Sequence, residues 1–248
     1  MLLDPLYLAV SGVMWCWHQL FGLLLGPASG AAWALSVVFL VLTLRALLIR
    51  PFLAQVRSAR ALRELTPQLA ALRTRHADDP ARLLQETDAL QRAHGVSAAS
   101  MLLPALLQLP VFLGLLHVLT GFTSATHTNY AFGADEVRSF LAARLFEVPL
   151  SAYLNMPLDG LVDHWQVAAV TVPLILLAAV ATHLTARLSL RQQPADGPLA
   201  GIMRWTPWVF PLGVLVGGAL FPFPVAILIY WVTNGAWTLV QQWLVLRS

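Results

Sequence analysis

Few residues in this sequence could do chemistry, and the most conspicuous is a cation inside an apolar run. Arg45 lies in AAWALSVVFLVLTLRALLIRPFLAQ, residues 31–55, and no other charge stands between Ala31 and Ile49. A run of about 20 apolar residues is what a helix needs to cross the hydrocarbon core of a bilayer. An arginine at the centre of such a helix costs about 2.5–3.5 kcal/mol on insertion scales, and it usually faces the protein interior or a watery cavity. Arg45 also stands close to Arg50 at the end of the run, so a side chain snorkelling to the headgroups is the other reading. The polar company within apolar stretches is Thr43, Gln108, Thr171, His183, Tyr230, Thr233, Asn234, Gln241 and Gln242. A positive charge among hydrogen-bonding neighbours suits transient contact with acidic or polar peptide. It supplies neither a nucleophile nor a base.

Other chemistry is missing. The histidines, at 18, 76, 94, 117, 127, 164 and 183, show no metal-ligand or catalytic spacing. There is no Gly-rich phosphate loop and no GxSxG elbow. Every Asp and Glu lies outside the apolar runs, which argues against a carrier driven by protons or sodium. The single Cys16 excludes an internal disulfide. The sequence therefore reads as a protein that is not an enzyme and takes no cofactor or metal.

The elements that must position Arg45 follow from composition and charge. Of 248 residues 58% are hydrophobic and 11% charged, and mean hydropathy is +0.70, values typical of an integral membrane protein. The fold class expected is all-α, with five transmembrane helices, a cytoplasmic helical hairpin and an external amphipathic helix at the N-terminus. Residues 1–30 are expected to form that interfacial helix, with Trp15, Trp17, His18 and Gln19 interrupting the apolar residues, and a spanning helix over 5–26 is the competing reading. Residues 31–55 are the first span. Residues 56–96 form the hairpin, since 50–96 hold eight of the 15 arginines and positive segments stay in the cytoplasm. Leu62, Leu65, Leu69 and Leu72 give it helical periodicity, Asp79-Pro80 starts its second arm and Gly95 stops it.

Residues 97–120 are the second span, 121–165 an external polar loop with a possible surface helix over 135–146, and 166–188 the third span. Residues 189–204 return to the cytoplasm, 205–221 are the fourth span, and 222–248 hold the fifth span and a short tail. Gly213 and Gly217 form a GxxxG that would let helices approach closely. The arginine balance of the loops puts the N-terminus outside and the C-terminus inside.

The order and spacing of four segments resemble the YidC-type membrane protein insertases, most closely the actinobacterial members. TLRALLIRPFLAQ places Arg45 before Gln55 as the family's groove arginine stands before its glutamine. RALRELTPQLAALRTRHADDPARLLQETDALQRAHGV resembles the family's hairpin. LLPALLQLPVFLGL resembles its LPLLIQMPIF segment through Pro104, Gln108, Pro110 and Phe112. FPFPVAILIYWVTNGAWTLVQQ resembles its last turn and span through Tyr230, Trp231, Gln241 and Gln242. There are departures: SAASML at Ser97–Leu102 replaces the family's Asn-Pro-Leu-Gly-Gly-Cys, Pro51 stands one position late, and Asn234-Gly235 replaces Ser-Asn.

The resemblance implies a membrane insertase and chaperone of the bacterial plasma (inner) membrane. It would work through a hydrophilic groove open to cytoplasm and lipid, carrying one arginine. Arg45, Thr43, Gln108, Tyr230, Trp231 and Asn234 are the expected substrate-binding residues. The expected partners are nascent membrane proteins and membrane lipid, with the Sec translocon and the ribosome as further candidates and no direct readout of nucleic acid. A non-catalytic assembly subunit and a small-solute transporter are the alternatives.

Overall fold

Prolines and short turns cut the apolar chain into helices. The computed structural model describes residues 3–96, 98–122, 128–157, 163–191 and 200–247, and the side chains at 98–108, 200, 202 and 245–247 lie outside that description. The helices are α1 (Asp4–Leu25), α2 (Gly30–Leu47), α3 (Ile49–Glu64), α4 (Thr66–Arg75), α5 (Pro80–Ala93), α6 (Ala98–Thr120) and α7 (Ala134–Ala142). A two-stranded antiparallel ribbon follows, β1 (Arg144–Leu145) and β2 (Val148–Pro149). Then come α8 (His164–Arg191), α9 (Ala200–Met203), α10 (Thr206–Leu220) and α11 (Val225–Arg247).

The expected first span over 31–55 is shorter and broken. Pro51 has no N–H to give to Leu47, and its ring clashes with that carbonyl, so α2 ends at Leu47 and α3 starts at Ile49. The first arm of the hairpin breaks for the same reason before Pro67, where α3 gives way to α4. The leucine periodicity survives the break: Leu65 is buried, and Leu62, Leu69 and Leu72 are half-buried.

Among the described residues, three helices are long and apolar enough to cross a membrane, Asp4–Leu25, Gly30–Leu47 and His164–Arg191, while Leu109–Thr120 and Thr206–Leu220 are shorter apolar helices. The first of the three covers the segment expected as an interfacial helix, and α1 packs across α2 and α6. Tyr7 stacks on His117 at 4.2 Å, the Ser11 hydroxyl accepts from the Ala131 N–H at 3.3 Å, and His18 stacks on Trp33 at 3.6 Å. Of the residues that interrupt the apolar run, Trp17 donates to Thr43 Oγ1 and His18 is buried against Trp33, while Trp15 and Gln19 stay exposed.

The expected external polar loop is also more than a loop. Within 121–165 the described part folds into a cap made of α7 and the ribbon. Phe132, Val137, Phe140, Val148 and Leu150 join the core with Trp33 and Phe122. Trp33 donates its indole N–H to Ser139 at 3.0 Å and meets Phe132 and Phe140 at 5.5 and 5.2 Å between ring centres. The cap also receives α11: Val225 N–H donates to the Ala152 carbonyl and Ala226 N–H to Leu150. The ribbon turns through Phe146 and Glu147 at φ +50° and +67°, a left-handed pair that these residue types do not advertise.

Three glycines allow close approaches between elements. A Cβ on Gly30 would collide with the Arg144 carbonyl of β1, one on Gly218 would lie 2.8 Å from Ile175 of α8, and one on Gly235 would lie 3.0 Å from Ala181 of α8. The GxxxG pair has no such role: nothing stands within 4 Å of a Cβ on Gly213, and Gly217 meets only ring atoms at van der Waals distance. Gly30→Ala should therefore lower stability by more than the usual 1–3 kcal/mol of overpacking, because backbone must yield. Gly213→Ala should raise stability by about 0.5–1 kcal/mol through chain entropy. Thermal unfolding of the two variants in detergent checks the opposite signs.

At the hairpin tip, the Asp79 carboxylate caps α5 by accepting from the Arg82 N–H at 3.0 Å, with Pro80 in the first turn. Glu86 bonds to His76 at 3.0 Å and to Arg82 at 3.2 Å. Desolvation pushes the Glu86 carboxyl up, but the Arg82 and His76 contacts outweigh it and hold the group below the ordinary carboxylate range. A depressed carboxyl stabilises the fold above its unfolded value, about 4.3, and that contribution disappears as pH falls through the lower folded value. Amide exchange in α4 and α5, corrected for intrinsic rates, should accelerate below about pH 4, and Glu86→Gln should remove the pH dependence.

Candidate functional site

Arg45 sits in the last turn of α2, and its guanidinium turns towards α11. Nε and Nη2 both donate to Asn234 Oδ1, at 3.0 and 2.6 Å, and Nη2 also donates to Thr238 Oγ1 at 2.9 Å. Thr238 sends its own hydroxyl proton to the Asn234 carbonyl at 2.8 Å, which leaves its oxygen lone pairs for the arginine. All three side chains are half-buried. A guanidinium has five N–H donors. The three bonds occupy those of Nε and Nη2, so the two on Nη1 have no protein acceptor among the described residues.

The polar residues of α11 form a stripe. Asn234, Thr238 and Gln242 recur every four residues, so they share one helix face. Gln242 Nε2 donates to Ser189 Oγ of α8 at 2.9 Å. Three buried polar atoms near this stripe have no hydrogen-bond partner among the described residues: Thr185 Oγ1, Trp237 Nε1 and Gln242 Oε1. Buried polar atoms are nearly always satisfied, so a group of orphans calls for water or a polar ligand.

The residues expected to bind substrate do not all meet. Arg45 and Asn234 do, through the bonds above. Thr43 does not. Two residues apart on a helix means roughly 200° of rotation, so it faces α1. There its hydroxyl donates to the Phe39 carbonyl at 2.8 Å and accepts from Trp17 Nε1 at 3.0 Å. Tyr230 also belongs to the Arg45 cluster: it is buried one turn before Asn234 on the same face of α11, interacts electrostatically with Arg45, and sets its ring 5.7 Å from Phe112. Trp231 turns to the α10 side, 4.9 Å from Phe223. The Gln108 side chain lies outside the described residues. Thr238 was the residue missed, although its place four after Asn234 in the sequence could have found it. Cavities of about 440, 470 and 430 Å³ open elsewhere on the molecule and are lined by other residues.

Along α2 the environment changes sharply. Trp33, near its start, is fully buried among His18, Phe122, Phe132 and Phe140. Arg45 lies 12 residues on, roughly 18 Å along the axis. One end of the helix is sealed by aromatic packing, and the other is polar.

Asn234→Ala should cost about 1.5–3 kcal/mol, the value of a hydrogen bond to a charged group, since it strips the guanidinium of its main acceptor. Arg45→Met should recover most of that loss in the Asn234→Ala background. A double-mutant cycle by thermal unfolding checks it, and additive effects would show that the pair is not coupled.

The sequence has relatives among known proteins. The sequence model of the family described as 60Kd inner membrane protein matches residues 24–248. A protein of Mycobacterium tuberculosis, named membrane protein insertase YidC, is 44% identical over 97% of this chain and 71% of its own length. A protein of the same name from Corynebacterium efficiens is 35% identical over 97% of this chain and 67% of its own length. One from Streptomyces avermitilis is 30% identical over 96% of this chain and 57% of its own length.

Proposed function

The chain belongs to the 60Kd inner membrane protein family, that of the YidC membrane protein insertases, and from this we propose that it delivers nascent membrane proteins into the bilayer past Arg45. The observation that carries the proposal is a half-buried guanidinium held on one side by Asn234 and Thr238, with both donors of Nη1 left without a protein partner among the described residues. Such a group is fixed in place yet able to accept a new ligand.

Five apolar helices, α2, α6, α8, α10 and α11, cross the plasma membrane, with the N-terminus outside and the C-terminus in the cytoplasm. Between α2, α8 and α11 lies a hydrophilic groove open to the cytoplasm and to lipid, closed on the outside by the aromatic packing around Trp33. The polar leading segment of a substrate enters this groove. Its acidic groups pair with Arg45, and its peptide groups find partners along Asn234, Thr238 and Gln242 in place of lost water. The orphaned polar atoms of Thr185, Trp237 and Gln242 support a wet interior at that depth. The substrate's apolar segment then slides into lipid, and removal of its apolar surface from water drives the transfer, so no nucleotide is required. The Sec translocon and the ribosome are proposed as further partners, the ribosome approaching the arginine-rich hairpin.

The test is insertion of a single-span substrate with an acidic leading tail into proteoliposomes. Arg45→Ala and Arg45→Glu should lower the rate, Glu more than Ala, and Arg45→Lys should retain part of it because charge is what the tail needs. Normal rates for both Ala and Glu variants would defeat the mechanism. Photocrosslinking from position 45 distinguishes the alternatives: varied nascent chains mark an insertase, and one fixed partner marks an assembly subunit.

A further inference from the structure

The far end of α8 carries a feature that the peptide groove does not use. Arg187 and Arg191 stand four residues apart and share one helix face. The same face continues up the helix through the exposed Leu184 and Val180. Two adjoining hollows meet at these arginines. One, of about 470 Å³, runs between α8 and α11 and is lined by Leu184, Leu188, Leu239, Val240 and Trp243 beside the arginines. The other, of about 390 Å³, lies between α8 and α10, where Arg204 and Trp208 join Arg187 and Arg191. Arg204 lies 5.8 Å over the ring of Trp205. Among the described residues no carboxylate pairs with Arg187, Arg191 or Arg204.

We propose that this corner between α8, α10 and α11 binds one anionic phospholipid, its phosphate on Arg187, Arg191 and Arg204 and an acyl chain in the trough towards Leu184 and Val240. Charge complementarity selects the occupant. Arg187 and Arg191 line the apolar trough and Arg204 lines the hollow beside it, with no carboxylate paired to them among the described residues, so a fitting ligand carries a phosphate-like anion at one end and hydrocarbon at the other. Depth agrees, because indole rings favour the membrane–water interface, and Trp205, Trp208 and Trp243 surround the arginines. Basic hollows between membrane helices hold anionic headgroups by the same logic. The site rests on membrane residence alone and stands whether or not Arg45 handles peptide.

Native mass spectrometry of the whole chain in neutral detergent tests this, with phosphatidylglycerol, phosphatidylcholine and inorganic phosphate added in turn. The wild type should retain one phosphatidylglycerol in preference to phosphatidylcholine, and inorganic phosphate should not be retained. Each arginine replaced by glutamine should weaken phosphatidylglycerol about fivefold, and the triple variant Arg187→Gln, Arg191→Gln, Arg204→Gln on the order of a hundredfold. The matching triple lysine variant should keep most of the binding, and Val240→Glu should lose it with the arginines intact. Three results would overturn the proposal: undiminished lipid retention by the triple glutamine variant, equal retention of the two lipids, or an equal loss on changing Arg57, Arg73 and Arg75 of the hairpin.

Discussion

A guanidinium among apolar helices is stable only where its donors find acceptors, and much of this molecule can be read as an arrangement for providing them. Arg45 on α2 is far from α11 in sequence, yet Asn234 and Thr238 receive three of its hydrogen bonds. The bonds need α2 and α11 side by side at one register. That register is set elsewhere, at the other end of both helices, where Trp33 packs under the cap and the start of α11 is bonded to the Leu150 and Ala152 carbonyls. Dense aromatic packing at one end holds a polar cluster in place at the other.

This division of labour has a physical logic. Apolar side chains between helices gain little in lipid, because the surroundings are equally apolar. Close backbone approach and satisfied polar groups matter more. Gly218 and Gly235 let α10 and α11 sit tightly on α8, and His183 donates to the Pro207 carbonyl at 2.6 Å to tie α8 to α10. α8 thus serves as the common wall for two helices. The same wall carries Ser189 towards the polar stripe and Arg187 and Arg191 at its end.

The hairpin stands apart from this economy. Its faces are charged, and Leu65 is the one large apolar side chain among α3, α4 and α5 that is fully buried. Its first helix packs along α6, and its tip is held by the Glu86 contacts with His76 and Arg82. Cohesion there comes from exposed ionic contacts, each worth little in water. A tip built this way can move without disturbing the helices behind it.

The sequence by itself determined the helical class, the membrane environment and the family. Each is written in local runs: apolar stretches, arginine clustering, proline and glycine punctuation, and motif order. It also pointed to Arg45 and Asn234, because a charge or an amide in an apolar run is conspicuous without a fold. Tertiary structure decided which side chains meet. Thr43 and Arg45 are near neighbours in sequence but face opposite sides of α2, while Thr238 became a partner only when α11 was laid against α2. It also decided that Gly218 and not Gly213 makes the close approach, that α1 is packed against helices, and that residues 128–157 build a cap. Those outcomes depend on rotation and register between distant segments, and no local pattern encodes them.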